Sequence, residues 1–331
     1  MPCREIPAEW GAQRIKGLSI TSLVKHALRP IYRRSEGIAQ KRIETSLIEQ
    51  FLYPKFGPGQ LWEKVARLVE ARGGQVEYNT RVLHLEHDGQ RLQAVEVQRP
   101  DGSRQTLAAD LVLSSMPLRN LIAGLSPQAP APVRQIADGL PYRDFMTVGL
   151  LLRRLRLGGN VDGRGLRARV PDNWIYVQEP DVKVGRIQIF NTWSPYMVAD
   201  PETIWIGLEY FVNEGDALWS MPDDAMSDFA IDELVKIRVI DRADVLDQVV
   251  IRMPKTYPAY FGTYERFSEI REYLSELQNL YPLGRNGMHR YNNQDHSMLT
   301  AMAAVDGILS GTDVRETLWH INAEQDYHET R

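Results

Sequence analysis

The residues from Gly284 to Met302 combine a glycine turn with a polar helix start, a pattern suited to holding a ligand. A short apolar lead, residues 280–283, precedes the turn, and we predict an apolar helix that runs to about Leu309. Short polar side chains crowd the start of this helix: Asn292, Asn293, Asp295 and Ser297. Because a helix start has free backbone N–H groups and the positive end of the helix dipole, it favours a phosphate or the electron-rich edge of a ring.

Three further blocks accompany this stretch. Residues 55–62 form a glycine turn before a predicted helix, residues 73–85 lead from two glycines into a predicted strand, and residues 109–117 hold another strand. In this order, and together with residues 284–302, the blocks resemble the FAD-dependent superfamily of amine oxidases, protoporphyrinogen oxidases and UDP-galactopyranose mutases. The sequence is therefore identified as a member of that superfamily.

The resemblance implies a mixed α/β fold. A partial FAD/NAD(P)-binding Rossmann-like domain would carry an inserted substrate domain made of a β-sheet and helices. The expected parts are a helical segment of the substrate domain over residues 1–56, part of the FAD-binding domain over 57–140, the substrate domain over 141–279, and a C-terminal FAD-binding segment over 280–331.

The hydrophobic periodicity and the turn residues predict individual elements within this frame. Aspartate-glycine pairs at residues 88–89 and 101–102 indicate hairpin turns. Helices are expected over residues 59–73, 222–240 and 264–277, and strands over 76–78, 81–86, 92–98, 111–114, 145–152, 174–177, 186–192 and 203–211.

An FAD cofactor and the residues that bind it also follow from the resemblance. The backbone of Val82 would meet the adenine. Arg285, directly after Gly284, would lie near the diphosphate, because a guanidinium fork suits phosphate oxygens. The polar helix start would face the isoalloxazine ring. The predicted cofactor-binding residues are Val82, Gly284, Arg285, Asn292, Asn293, Asp295, Ser297 and Met298.

Resemblance to the mutases within this superfamily implies four substrate-binding residues. Tyr291 follows a Gly-Arg-x-Gly run, like a mutase tyrosine that meets the sugar-nucleotide diphosphate, and Tyr257 begins a similar Tyr-Pro turn. Arg186 lies in a segment that resembles a strand of the mutase substrate sheet, and Tyr210 belongs to a similar Glu-Tyr pair. The pair follows Leu208 here, whereas an arginine commonly precedes it in the mutases.

The chain contains no Gly-x-Gly-x-x-Gly sequence, the turn that cradles the FAD pyrophosphate in this superfamily. Its first 20 residues resemble an internal segment of such enzymes. We therefore expect an N-terminally truncated member of the superfamily. His289 and His296 lie within the 284–302 stretch and are open to acid–base or to simple hydrogen-bonding roles. No catalytic residue is assigned.

The composition narrows the range of partners. The net charge of −4 provides no general attraction to nucleic acid, and the single cysteine, Cys3, allows no intrachain disulfide or cysteine-based zinc site. We expect no metal, no membrane-spanning segment and a cytoplasmic location. Basic residues cluster among residues 14–42, where a peripheral membrane contact and a solvated helix face are both open. The oligomeric state is not predicted.

Three functional hypotheses follow. The first is an FAD-dependent oxidoreductase of the amine oxidase superfamily that takes hydride from a small molecule, for example an amine. The second is a UDP-galactopyranose mutase-like, non-redox flavoenzyme that acts on a nucleotide sugar. The third is an inactive fragment that needs a missing part or a partner.

Overall fold

The structure is a computed structural model that describes residues 52–157, 170 and 172–321. Most of the expected helical segment 1–56 and all of the basic residues 14–42 lie outside the described residues. The helices are α1 Gly59–Glu70, α2 Leu118–Gly124, α3 Ala131–Asp138, α4 Phe190–Trp193, α5 Asp223–Lys236, α6 Phe267–Glu276, α7 Gly284–Gly287, α8 Gln294–Ser310 and α9 Arg315–Leu318. Short 3-10 turns lie at Pro195–Met197, Arg242–Asp244 and Gly262–Arg266.

The strands form three sheets in the described part of the chain. The strands are β1 Arg81–His87, β2 Leu92–Gln98, β3 Arg104–Ala108, β4 Val112–Ser114, β5 Leu125–Ser126, β6 Tyr142–Leu152, β7 Trp174–Tyr176, β8 Arg186–Ile189, β9 Ile204–Val212, β10 Val245–Pro258 and β11 Leu280–Pro282. Their orders are β3-β2-β1-β5, β10-β6-β9-β8-β7 and β11-β4. β1 pairs antiparallel with β2 and parallel with β5, and β11 pairs parallel with β4. The expected mixed class of helices and sheets is confirmed.

The described residues divide into two compact units. The first comprises the described residues up to Gly74 together with Thr147–Tyr210 and Pro222–Val250. Its apolar core includes buried side chains from β8, β9 and α5, among them Ile187, Leu208 and Leu234. No helix in the described ranges is long and apolar enough to cross a bilayer.

The second unit comprises Gln75–Met146, Phe211–Met221 and the described residues from Ile251 onwards. One core cluster joins β1 and β2 to α2, α3 and α6, with Leu121, Ile136 and Ile270 almost fully buried. A second cluster around Tyr281 and Met288 packs β11 and the following turn against α8 and α9. These two clusters support the segment that carries most of the predicted site.

Most of the predicted elements are confirmed, with several exceptions. Residues 190–193 form helix α4, although a strand was expected over residues 186–192. The strand expected over residues 76–78 is wrong: the chain turns there, and Asn79 adopts a left-handed φ of 53°. The 14-residue strand β10 was not predicted. Many residues of β10 are exposed, and Pro254 has no N–H group to donate to a neighbouring strand. β10 is an edge strand of its sheet, and its apolar and polar residues do not alternate regularly, which leaves no clear strand signal in the sequence.

Candidate functional site

The glycine turn lies at the carboxyl end of the parallel pair β4 and β11. The N–H group of Leu283 donates to the carbonyl of Ser114 at 2.8 Å, which joins the ends of the two strands. Gly284 follows with a φ of 67°, and its N–H group donates to Thr300 Oγ1 at 3.2 Å. A side chain at Gly287 would overlap the Ser114 carbonyl oxygen. Ligands of open α/β folds bind at this edge of parallel strands.

The start of α8 is held by its own polar side chains. Asn293 is the N-cap, and with His296 it forms a reciprocal capping box in which the N–H group of Asn293 donates to His296 Nδ1 at 3.4 Å. Asn292 is buried, and its Oδ1 accepts from Ser297 Oγ at 3.0 Å. In the described part of the chain, the N–H group of Asp295 has no acceptor, so that the helix start keeps a donor for a ligand.

Arg285 is tied to backbone carbonyls. Its Nε and Nη2 donate to the carbonyl of Asn292 at 3.0 and 2.6 Å, and Nη1 donates to the carbonyl of Thr256 at 3.3 Å. The guanidinium lies over the rings of Tyr257 and Tyr291, 5.3 and 4.8 Å from their centroids. Among the described residues, no carboxylate forms an ion pair with Arg285. Its positive charge is therefore not neutralised by a described side chain.

The segment around Tyr257 is fastened beside this arginine. Tyr257 and Tyr291 stack with ring centroids 5.9 Å apart. The hydroxyl of Tyr260 accepts from the N–H group of Tyr291, and burial raises the pKa of Tyr260 to about 12. Two of the three predicted substrate tyrosines, Tyr257 and Tyr291, thus lie together with the predicted diphosphate arginine within one unit.

His289 is a buried, neutral anchor. It is fully buried, its backbone has a left-handed φ of 44°, and its Nε2 lies 3.0 Å from the carbonyl of Ala259. Burial lowers the pKa of its imidazole to about 4, against the opposite effect of the Ala259 carbonyl. The ring packs edge-on against Tyr142 at 4.7 Å between centroids. Full burial favours the hydrogen-bonding role for His289 over an exchange of protons with a ligand.

The remaining predicted cofactor residues occupy different surroundings. Val82 lies on β1, paired with Val97 of β2, and its half-buried side chain packs against the first core cluster. Asp295 is exposed, 3.2 Å from His296 Nδ1, and Met298 is 38% exposed on α8. Gly284, Arg285, Asn292, Asn293, Asp295, Ser297 and Met298 share one segment of the second unit, as the sequence requires. Contact between Val82 and an adenine stays a prediction.

Arg186 and Tyr210 belong to the first unit. Arg186 forms an ion pair with the buried Glu209, and its guanidinium lies 5.5 Å from the Trp174 ring and 5.7 Å from the Tyr176 ring. Both aromatic side chains are exposed, and the half-buried guanidinium of Arg186 lies beside both rings. Tyr210 is fully buried instead, and its hydroxyl donates to Glu233 at 3.0 Å. Burial, reinforced by the Glu233 charge, raises the pKa of Tyr210.

Sequence reasoning missed two residues that support the site. Asp144 is a buried carboxylate in β6, and Thr256 supplies a carbonyl to Arg285. Asp144 had a visible signal, since it directly precedes the apolar run over residues 145–152 at the start of a strand. The role of Thr256 uses only its backbone, which no side-chain pattern reveals.

The parallel strand ends, the glycine turn and the polar helix start thus lie together in one α/β segment of the second unit. The family model of flavin containing amine oxidoreductases matches residues 32–289. This match covers more than half of the chain, and the chain belongs to that family. No curated protein matches this chain.

Solved structures share the fold at low sequence identity. A reduced UDP-galactopyranose mutase is 18% identical with a TM-score of 0.63, and the match covers 82% of this chain and 54% of the mutase chain. A candidate protoporphyrinogen oxidase from Exiguobacterium sp. 255-15 is 18% identical with a TM-score of 0.52, covering 72% and 48%. An oxidoreductase from Methanosarcina mazei is 13% identical with a TM-score of 0.50, covering 76% and 55%. The chain thus spans about half the length of these structures.

Proposed function

We propose that this chain forms part of an FAD-dependent oxidoreductase acting on a small molecule. The observation that carries the proposal is the start of α8, where the N–H donor at Asp295 lies in the same segment as Arg285, which pairs with no carboxylate among the described residues. Residues 57–140 and 280–331 would form parts of the FAD-binding domain, and residues 141–279 would form the substrate domain. When bound, the flavin would accept a hydride from the substrate.

The residues present suit such a cofactor. Gly284 and Gly287 carry no side chain where the turn approaches Ser297 and Ser114. Among the described residues, Oδ1 of Asn286 is buried without a hydrogen-bond partner, so that an acceptor at this turn is open to a donor. Negative charge that builds up on a ring edge during reduction is stabilised by a positive helix end. The donors of Arg285 and of the helix start therefore suit a diphosphate or a flavin ring edge, and the Asn286 acceptor suits an N–H or O–H group of a ligand.

The chain's own residues would bind and orient. Arg285 would present its remaining N–H groups to phosphate oxygens while its other donors hold the backbone. Asn293 and His296 would keep the helix start in place through their capping box. Tyr257 and Tyr291 would form an aromatic wall that excludes water on one side of Arg285.

Titration of the 331-residue protein with FAD, followed by flavin absorbance and by thermal unfolding, tests the proposal. We expect weak binding at most, because the sequence lacks the glycine turn that cradles the FAD pyrophosphate. Any binding should shift the absorbance spectrum and raise the unfolding temperature, because a ligand that binds only the folded state stabilises it. Riboflavin is the matched control, since it lacks the diphosphate and should bind more weakly. Folded protein that leaves both readouts unchanged would favour the inactive-fragment hypothesis.

The second candidate function is a mutase-like, non-redox reaction on a nucleotide sugar. The stacked pair Tyr257 and Tyr291 under Arg285 favours it, because two tyrosines and an arginine suit a diphosphate. The face with Arg186, Trp174 and Tyr176 adds a stacking surface for a planar base or a sugar in the first unit. Turnover that needs pre-reduced flavin and yields no oxidised product would support this function. UDP-sugars that fail to bind, with oxidised product formed from an amine, would support the first.

A further inference from the structure

Asp144 is a buried carboxylate that no ligand-binding role uses. It lies on β6, is 5% exposed, and belongs to the second unit. Its Oδ1 accepts from the N–H group of Lys255 at 2.6 Å, and its Oδ2 accepts from the N–H group of Glu214. Among the described residues, no cationic side chain forms an ion pair with Asp144. Both of its oxygens therefore serve to hold backbone from two other segments.

The backbone at Lys255 needs such a holder. Lys255 lies inside β10 with a φ of 55°, a left-handed conformation that L-residues other than asparagine, aspartate and histidine rarely adopt. The hydrogen bond from its N–H group to Asp144 fixes this irregularity. Nζ of Lys255 lies 3.9 Å from Oε2 of Glu214. The N–H group of Glu214 also donates to Asp144. One carboxylate thus accepts from the distorted backbone at Lys255 and from the backbone of Glu214, the residue that pairs with the Lys255 side chain.

The distortion leads directly to the candidate site. The next residue, Thr256, offers its carbonyl to Arg285, and the one after it is Tyr257. Phe145, the neighbour of Asp144, packs edge-on against the Tyr257 ring at 6.1 Å between centroids. Asp144 is therefore connected to Tyr257 in two ways. One is the backbone from Lys255 to Tyr257, and the other is the ring contact between Phe145 and Tyr257.

We infer that Asp144 is a positioning residue for the group formed by Tyr257, Arg285 and Tyr291. It sets the backbone at Lys255 so that Tyr257 lies beneath Arg285 and against Tyr291. The significance of this group for ligand binding rests on the proposed function, but the positioning itself does not.

The test compares Asp144→Asn with Glu233→Gln. Glu233 is a matched control because it is also a buried carboxylate that accepts two backbone N–H groups, from Lys183 and Val184, but it lies in the first unit. Fluorine NMR of protein labelled with 3-fluorotyrosine reads out the tyrosines, and the Tyr→Phe variants at positions 257, 291 and 210 assign their signals. We expect Asp144→Asn to move the signals of Tyr257 and Tyr291, and Glu233→Gln to move that of Tyr210.

A rescue variant separates positioning from simple loss of folding. Glycine adopts a left-handed φ readily. In the double variant Asp144→Asn/Lys255→Gly, the Tyr257 and Tyr291 signals should therefore lie close to their positions in the single variant Lys255→Gly. If Asp144→Asn alone fails to fold, the double variant should still fold. Signals of Tyr257 and Tyr291 that stay in place in folded Asp144→Asn protein, or that Lys255→Gly fails to restore, would overturn the inference.

A ligand measurement then links the inference to the proposed function. FAD should bind Asp144→Asn roughly tenfold more weakly than the natural protein, because misplaced binding groups lose their alignment with the ligand. Glu233→Gln should bind it as the natural protein does. If the natural protein binds no FAD, the proposed function fails while the fluorine result still decides whether Asp144 positions Tyr257. If FAD binds and Asp144→Asn leaves its affinity unchanged, the link between positioning and binding is wrong.

Discussion

The guanidinium of Arg285 donates two hydrogen bonds to the backbone carbonyl of Asn292, from Nε at 3.0 Å and from Nη2 at 2.6 Å. This pair joins the turn after β11 to the residue before the N-cap of α8. An arginine expected to bind phosphate is therefore also the fastening of the loop between Gly287 and Asn293. We therefore expect a substitution of Arg285 to affect both folding and phosphate binding.

Arg285→Lys should lower the free energy of unfolding by about 1–2 kcal/mol, because a single ammonium cannot reproduce the fork on Asn292 and the bond to Thr256. It should also weaken binding of FAD and of UDP. Urea unfolding and ligand titration measure the two effects. Arg242→Lys is the control: Arg242 is an exposed arginine paired with Asp228 and Asp232, and its change should stay within about 0.5 kcal/mol. Equal losses in the two variants would contradict the prediction.

Gly287→Ala should destabilise the second unit by about 1–3 kcal/mol or more, because the added methyl group meets fixed backbone. Its carbon would lie 3.2 Å from Ser115 Cα, as well as overlapping the Ser114 carbonyl oxygen. Gly59→Ala is the matched control, since a methyl group there meets nothing within 4 Å at the start of α1. Alanine at position 59 should be neutral or slightly stabilising. Urea unfolding compares them, and similar stability of both variants would refute the close approach.

Local chemistry explains which features could be predicted. The polar start of α8, the turns at Gly89 and Gly102, and the strand β6 each follow from a few neighbouring residues, and the structure confirms them. The contact between Arg285 and Thr256 joins residues 29 positions apart through a backbone atom, which leaves no trace in residue type. Resemblance pointed to Tyr257 and Tyr291 together, but their contact with Arg285 required the structure.

The same limit applies to Tyr210. A tyrosine after a glutamate in a strand is equally compatible with a ligand contact and with a core position, and alternation along β9 does not separate the two because residues 206–210 are all buried. Its hydroxyl donates a hydrogen bond to Glu233 on α5, 23 residues further along the chain. Tertiary packing, rather than the pattern of the strand itself, decides the role of this residue.

Tyr210→Phe should therefore reduce stability without changing ligand affinity. The loss of the hydrogen bond to Glu233 should cost about 1–3 kcal/mol, because one donor to a buried carboxylate disappears. Tyr257→Ala is the contrasting variant: it removes a ring beneath Arg285 and should weaken UDP binding. Urea unfolding and UDP titration measure both variants. Weaker UDP binding by Tyr210→Phe at unchanged stability would show that Tyr210 contacts the ligand.

His289 should make the stability of the protein depend on pH below neutrality. Burial lowers the pKa of its imidazole to about 4 in the folded protein, whereas an unfolded histidine has a pKa of about 6.5. Between these values the unfolded chain takes up a proton that the folded protein refuses. The stabilisation is complete above pH ~6.5 and falls by up to about 3 kcal/mol as the pH drops towards 4.

His289→Asn should remove this part of the pH dependence, and asparagine tolerates the left-handed φ at this position. His84→Asn, which changes a half-exposed histidine on β1, should leave it in place. Urea unfolding at pH 7 and at pH 5 compares the three proteins, and a His289 ring that titrates near pH 6.5 in the folded protein would exclude the mechanism.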